Sequence, residues 1–267
     1  MQSLRLPVQS ENKMAFKLLV KGGGLLVAAL LAGCALAPYE PDSVPLPDVA
    51  HFSTGQAGAA LPGGWRIWTF SRFKRSTDYR LVSDDGRIAI RASADSSASG
   101  LIHDVKIDPR HYPLLHWHWK VTQEIATADN ATRRFEDAPA RVVLSFSGDK
   151  SKFSFDDRML AAQVRAFTGQ EMPYATLMYI WGNRRPPESL ITNSHTGRIK
   201  MIVVQSGRDK TGMWLEETRN IAEDYRRAFG EEPATLDSVG IMTDTDNTDT
   251  KAQAYYGDIS FLKRPQK

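Results

Sequence analysis

The sequence predicts a mainly β protein, a β-sandwich or jelly roll with two peripheral helices. Three observations predict it. Short runs rich in aromatic and β-branched residues recur along the chain, separated by Gly, Pro, Asp and Asn turn signals. One run, Leu114 to Val121, alternates without a break. Leu115, Trp117, Trp119 and Val121 fall on one face, and Leu114, His116, His118 and Lys120 on the other. Apolar residues at helical spacing occur in only two places. The 267 residues suit one all-β domain of about 200–250 residues behind a leader.

The elements follow in order. Trp65 to Phe70 reads as the first strand, entered through Pro62-Gly63-Gly64. Tyr79–Val82 and Arg87–Ala92 make a hairpin around Asp84-Asp85-Gly86. Leu101 to Ile107 is stopped by Asp108-Pro109, and the alternating strand 114–121 comes next. Glu124 to Ala138 is a polar loop and Arg141 to Phe146 another β run. Phe155, Met159, Leu160, Val164 and Phe167 mark a helix stopped by Gly169. Tyr174–Trp181, Lys200–Gln205 and Met213–Thr218 are strand-like. Ile221 to Phe229 is the second helix, capped by Asn220 and stopped by Gly230. Gly240 to Leu262 closes the chain as strand, dense polar turn and strand.

Composition excludes some functions. Of 34 basic and 31 acidic residues, Arg5, Lys13, Lys17, Lys21 and Glu11 lie before residue 34. The remainder balances at 30 of each sign, which gives no global field to attract nucleic acid. A single cysteine rules out an internal disulfide framework. The amino-terminal pattern assigns that cysteine another use. Met14–Lys21 is a short basic region, Leu25–Leu31 an apolar one, and Leu31-Ala32-Gly33-Cys34 completes a bacterial lipobox. The apolar run is too short to span a bilayer, which takes about 20 residues. Residues 1–33 therefore read as a lipoprotein signal peptide, with Met14 as the true start. Cys34 is the lipidation site, and several acyl chains give durable membrane anchoring. Pro38, Pro41, Pro45 and Pro47 make 34–50 an extended tether, leaving 51–267 as the domain. Ala35, where an aspartate would signal inner-membrane retention, favours the outer membrane, facing the periplasm.

Several motifs together carry a family resemblance. They are Trp117-His118-Trp119, Leu177 to Gly182, Trp214 to Asn220, Asp224 to Gly230, Met242 to Asn247, and Tyr255 to Ile259. Across about residues 50 to 262 the chain resembles a bacterial family known only as domain of unknown function 3047. The resemblance implies an exported, often lipid-anchored β-sandwich and brings no catalytic residues with it.

Candidate sites carry competing readings. Asp244, Asp246, Asn247 and Asp249 offer the oxygens that calcium takes, without the glycine of an EF-hand loop. The same residues suit a turn whose side chains bond its own backbone. His116 and His118, two apart on one strand face, present two imidazoles to one ion. The same pattern suits two solvated or hydrogen-bonded histidines beside Lys120, and Lys120 on that face fits a polar groove floor rather than a zinc site. Trp117 and Trp119 are placed for core by Leu115 and Val121 on their face. Trp181, Asn183 and Arg184 combine a ring, an amide and a guanidinium at a strand end, fit for a saccharide. Glu216 and Glu217 point to opposite faces of one strand, which denies them a glycosidase pairing. No Gly-x-Ser-x-Gly elbow is present. The expected function is a non-catalytic envelope lipoprotein that binds a saccharide or envelope polymer. The alternatives are a polysaccharide hydrolase or lyase on the same scaffold, and a structural partner in an envelope assembly.

Overall fold

Alternation in the sequence becomes layering in space. The computed structural model describes Pro47, residues 49–69 and residues 74–264. The signal segment, the lipobox with Cys34 and most of the Pro-rich tether lie outside the described residues. In chain order the elements are β1 (Trp65–Thr69), β2 (Asp78–Asp84), β3 (Arg87–Asp95), β4 (Ala98–Ile107), β5 (Leu114–Val121), β6 (Arg141–Phe146), α1 (Phe155–Thr168), β7 (Ala175–Gly182), β8 (Leu190–Thr192), β9 (Ile199–Ser206), β10 (Leu215–Asn220), α2 (Ile221–Phe229), β11 (Leu236–Asp244) and β12 (Lys251–Leu262). They form a seven-stranded sheet, β1-β4-β11-β6-β7-β9-β8, and a five-stranded sheet, β10-β5-β12-β3-β2. Among the described residues the strands pair antiparallel except β7 with β9. This is a β-sandwich of jelly-roll kind.

The apolar face of β5 meets the seven-stranded sheet. Leu115, Trp117, Trp119 and Val121 are each 0% exposed. Trp117 stacks on Tyr179 of β7, with ring centroids 5.2 Å apart, and Trp119 lies 6.0 Å from Trp181. Strands β6 and β7 are buried along their whole length. A second apolar cluster, with Val143, Met178, Ile180, Met201 and Met242, covers their other face. That is why these strands read as continuous apolar runs rather than alternating ones. The β2–β3 hairpin turns through Asp85 and Gly86, both at positive φ (47° and 76°), the conformation a two-residue hairpin loop demands.

The two helices differ in how they are held. Helix α2 buries Ile221, Ala222, Tyr225 and Ala228, as its apolar spacing predicts. Helix α1 does not follow the same logic. Phe155, Met159 and Phe167 are 69%, 48% and 67% exposed, and its buried residue is Asp157. Polar contacts replace apolar packing. Ser154 and Asp157 form a capping box, and Asp157 also accepts a hydrogen bond from Thr196. Burial alone would raise the Asp157 pKa, but these hydrogen bonds outweigh it and hold it down.

The chain is packed from Val49 onward. Phe52 is 0% exposed and rests against Trp65, centroids 4.7 Å apart. The Trp65 indole N–H donates to the Ala50 carbonyl at 2.8 Å. Ser53 donates its backbone N–H to Asp258 of β12 at 2.9 Å. Asp258 stands in a bulge, because Tyr256 pairs with Trp119 and Ile259 with Trp117. Gly257 and Asp258 together therefore oppose His118 alone.

Candidate polar face and its neighbours

The polar residues of β5 line the outer face of the five-stranded sheet, and register supplies their neighbours. Lys120 is flanked by Tyr255 of β12, which in turn faces Arg91 of β3. His118 is paired with Glu216 of β10, and His116 with Thr218 on one side and Ser260 on the other. A side chain at Gly257 would press on the His118 Cβ at 3.0 Å, so the bulge needs glycine where it passes under the imidazole.

The two edges of the sheet are joined across this face by side chains. Trp214 precedes β10 at one edge, and Asp84 ends β2 at the other. The Trp214 indole N–H donates to Asp84 Oδ2 at 2.8 Å. Lys120 rises from the floor between them, bonding Asp84 and also Asp85, the latter at 3.0 Å. Its ammonium lies 5.5 Å from the Trp214 ring and 4.8 Å from the Tyr255 ring. The Arg87 guanidinium sits 5.8 Å from the same Trp214 ring. Arg91 Nε is buried without a hydrogen-bond partner among the described residues.

The charges here are mutually adjusted. Burial would lower the Lys120 pKa, but the hydrogen bonds it donates to Asp84 and Asp85 outweigh this and raise it. Burial would raise Asp84, and hydrogen bonds from Lys120 and Trp214 hold it below its ordinary value of 3.8. The depressed folded-state pKa fixes the sign. The Asp84 contacts stabilise above about pH 4 and weaken as pH falls below that value. Asp84→Asn is expected to cost about 2 kcal/mol at pH 7 and less at pH 3, where the contribution is being lost toward the lowered folded-state pKa. Urea melts at the two pH values measure it, and equal costs would contradict this account. His118 is lowered by burial, then by His116 and Arg87, with Glu216 and Asp258 acting in the opposite direction.

The residues singled out as a ligand group divide between the two sheets. His116 and His118 line the polar face as described. Trp181 does not: it is 0% exposed, points into the core beside Trp119, and donates its indole N–H to the Gly207 carbonyl at 2.9 Å. It offers no ring for stacking. The Asn183 amide is spent on the Ala126 and Ala128 carbonyls, at 2.8 and 3.4 Å. Arg184 is exposed in the loop beyond β7. The exposed-ring role falls to Trp214, half-buried on the polar face. Its neighbours in the Trp214 to Asn220 motif were visible in the sequence, but its place above Lys120 was not.

The acidic turn is organised by a residue outside it. Asp244 and Asp246 approach Asp137, with carboxylate oxygens within 4.8 Å of one another. Asp244 takes both arms of the buried Arg141 guanidinium, each at 3.0 Å. Asp137 accepts the Asn247 and Thr248 backbone N–H groups at 3.2 and 2.7 Å. Asp246 pairs with Lys74. Asn247 reaches the Arg133 carbonyl at 3.0 Å and Asp249 accepts from Ser96, so neither joins the cluster. The turn's backbone is satisfied by Asp137 rather than by its own side chains. The carboxylates here already hold a guanidinium, an ammonium and backbone donors. That places the four residues read as a calcium set in two different environments. Glu216 and Glu217 face opposite ways as expected: Glu217 turns inward, accepting from Gln205 at 2.7 Å and Trp119 at 3.3 Å, while Glu216 faces out beside the histidines.

The family model described as "Protein of unknown function (DUF3047)" matches residues 63–260. The chain belongs to this family. A search of curated proteins finds no match. Among solved structures, the chain is similar to the K2 cleaved adhesin domain of Lys-gingipain, at 10% identity over 81% of this chain and 97% of that one, TM-score 0.39. It is also similar to endoglucanase 3 of Trichoderma harzianum, from family GH12, at 10% identity over 84% and 100%, TM-score 0.37. A third is the glycoside hydrolase domain of Endo-D from Streptococcus pneumoniae R6, at 11% identity over 76% of this chain and 22% of that one, TM-score 0.32. For this DUF3047 member, function has to be argued from its own side chains.

Proposed function

We propose that this DUF3047 protein is an exported, lipid-anchored envelope protein whose polar sheet face binds a saccharide or envelope polymer without turning it over. One observation carries the binding part. Trp214 and Tyr255, rings 6.3 Å apart and inclined at 60°, flank Lys120 on a face otherwise lined by hydrogen-bonding groups. Ligand sites combine aromatic walls with a few placed polar groups in this way. The two rings supply apolar surface for the flat face of a sugar. Asp84, Arg87 and His118 supply donors and acceptors for its hydroxyls. The anchoring part rests on the basic and apolar amino-terminal pattern ending at Cys34.

The test uses the full chain and a panel of purified envelope and plant polysaccharides. Retained protein and newly released reducing ends are assayed in the same tubes. Retention without product is expected, with Trp214→Ala losing at least about tenfold in affinity, a loss of roughly 1.4 kcal/mol. Release of reducing ends would favour a hydrolase on this scaffold, and neither retention nor product would reject the reading. Cys34→Ser, followed by membrane fractionation, tests the anchor in the same preparation; a variant that still sediments with membranes would refute it.

A further inference from the structure

We propose that His116, His118 and Glu216 form a binding site for a zinc-class divalent metal ion at one end of the polar face. The inference does not rest on saccharide binding.

Three donors converge from two adjacent strands. His116 Nε2 lies 3.5 Å from Glu216 Oε1, and His118 Nε2 lies 3.8 Å from Glu216 Oε2. All three donor atoms lie within 4.8 Å of one another. A tetrahedral ion with bonds of 2.0–2.1 Å holds its ligands about 3.3 Å apart. The two imidazoles reach different oxygens of Glu216, each within about 0.5 Å of that spacing, and the donor set as a whole, within 4.8 Å, closes by side-chain rotation. Glu216 is 67% exposed on its side chain, free to swing inward.

The surroundings favour the ion over a chance cluster. His116 uses its other nitrogen, Nδ1, to contact Thr218 Oγ1 at 3.0 Å, which orients the ring with Nε2 toward Glu216. Metal-bound histidines are held by such a partner on the far nitrogen. The two imidazoles stand nearly perpendicular, 87° apart with centroids at 5.0 Å. Gly257 leaves the room that His118 needs. The Asp258 carboxylate is occupied by Ser53 and stays outside the set.

Donor chemistry names the metal. Two imidazoles and one carboxylate suit zinc, with nickel, cobalt and copper as in-vitro competitors. Calcium and magnesium prefer all-oxygen sets and are poorly served. Three protein ligands leave a fourth position open. With both histidine side chains only 22% exposed, that position is half-enclosed.

The test is titration of the chelator-stripped full chain with zinc chloride by calorimetry, with Tm followed in parallel. One zinc per chain and a raised Tm are expected. His116→Ala and His118→Ala should each weaken binding by more than about 100-fold, and Thr218→Val by about 10-fold. Their metal-free Tm values should match that of the wild type. The imidazole nitrogen resonances of the wild type give a readout independent of variant folding. Zinc should shift Nε2 of His116 and His118 and leave those of the other four histidines in place. Absence of stoichiometric binding would overturn the proposal. So would undiminished binding in the His116→Ala/His118→Ala double variant, or unmoved His116 and His118 resonances.

Discussion

Arg141→Met destabilises the protein by about 3–5 kcal/mol, the cost of removing one partner from a buried ion pair. Arg141 is 2% exposed, and Asp244 and Asp137 beside it are 5% and 0% exposed. The guanidinium bonds both oxygens of Asp244, donates to the Glu136 carbonyl, and touches Met201 Sδ at 3.4 Å. Burial works against its charge, and the neighbouring Asp244 more than compensates, keeping it protonated. Without it, Asp244 is an unpaired buried carboxylate next to a second one. The loop from Arg133 to Ala138 and the turn after β11 then lose one of their shared attachments, the Arg141 bridge between the Glu136 carbonyl and Asp244. For a domain of this size, thermal melting should fall by roughly 10 °C. Arg141→Met with Asp244→Asn should recover part of the loss, since the orphaned charge is then absent. A double variant no more stable than the single would contradict this explanation.

Trp117→Ala carries a cost of similar size, about 3–5 kcal/mol, for a different reason. The side chain is 0% exposed, stacks on Tyr179 at 5.2 Å and meets Trp119 edge-on at 5.4 Å. Its removal leaves a cavity between the sheets where no backbone can collapse. The indole N–H has no hydrogen-bond partner among the described residues. Trp117→Phe therefore removes a desolvated donor along with some volume. It should cost less than about 1.5 kcal/mol, because an unsatisfied buried polar group is itself worth 1–3 kcal/mol. Chemical melts of the two variants test the argument by their difference. Equal costs would mean that the N–H is satisfied in solution.

Legibility in the sequence followed the range of the interactions. Strand β5, the hairpin at Asp85-Gly86 and both helices rest on neighbours a few residues apart, and they stand where period and turn chemistry put them. The opposite facing of Glu216 and Glu217 came from the same two-residue period. What lay beyond reach was register between distant strands. Glu216 meets His118 because β10 pairs with β5 across 98 positions. Asp137 serves the acidic turn from 110 positions away. No local pattern marks either meeting. Trp181 misled because a ring at a strand end looks the same whether its face turns outward or to the core. Strand β7 is covered on both sides, which removes the alternation that would have told them apart. Helix α1 misled in the other direction: its apolar residues are exposed, and a buried aspartate holds it.

The contacts of residues 49–54 set how the fold meets a mechanical load. A pull applied at the amino-terminal side of Val49 does not peel one strand away bond by bond. The Ala50 carbonyl passes the force to Trp65 at the start of β1, and Phe52 resists extraction from the core. Ser53 delivers part of it to Asp258, in the strand at the centre of the other sheet. Tension is thus shared between both layers at the point of entry, where the contacts must yield together.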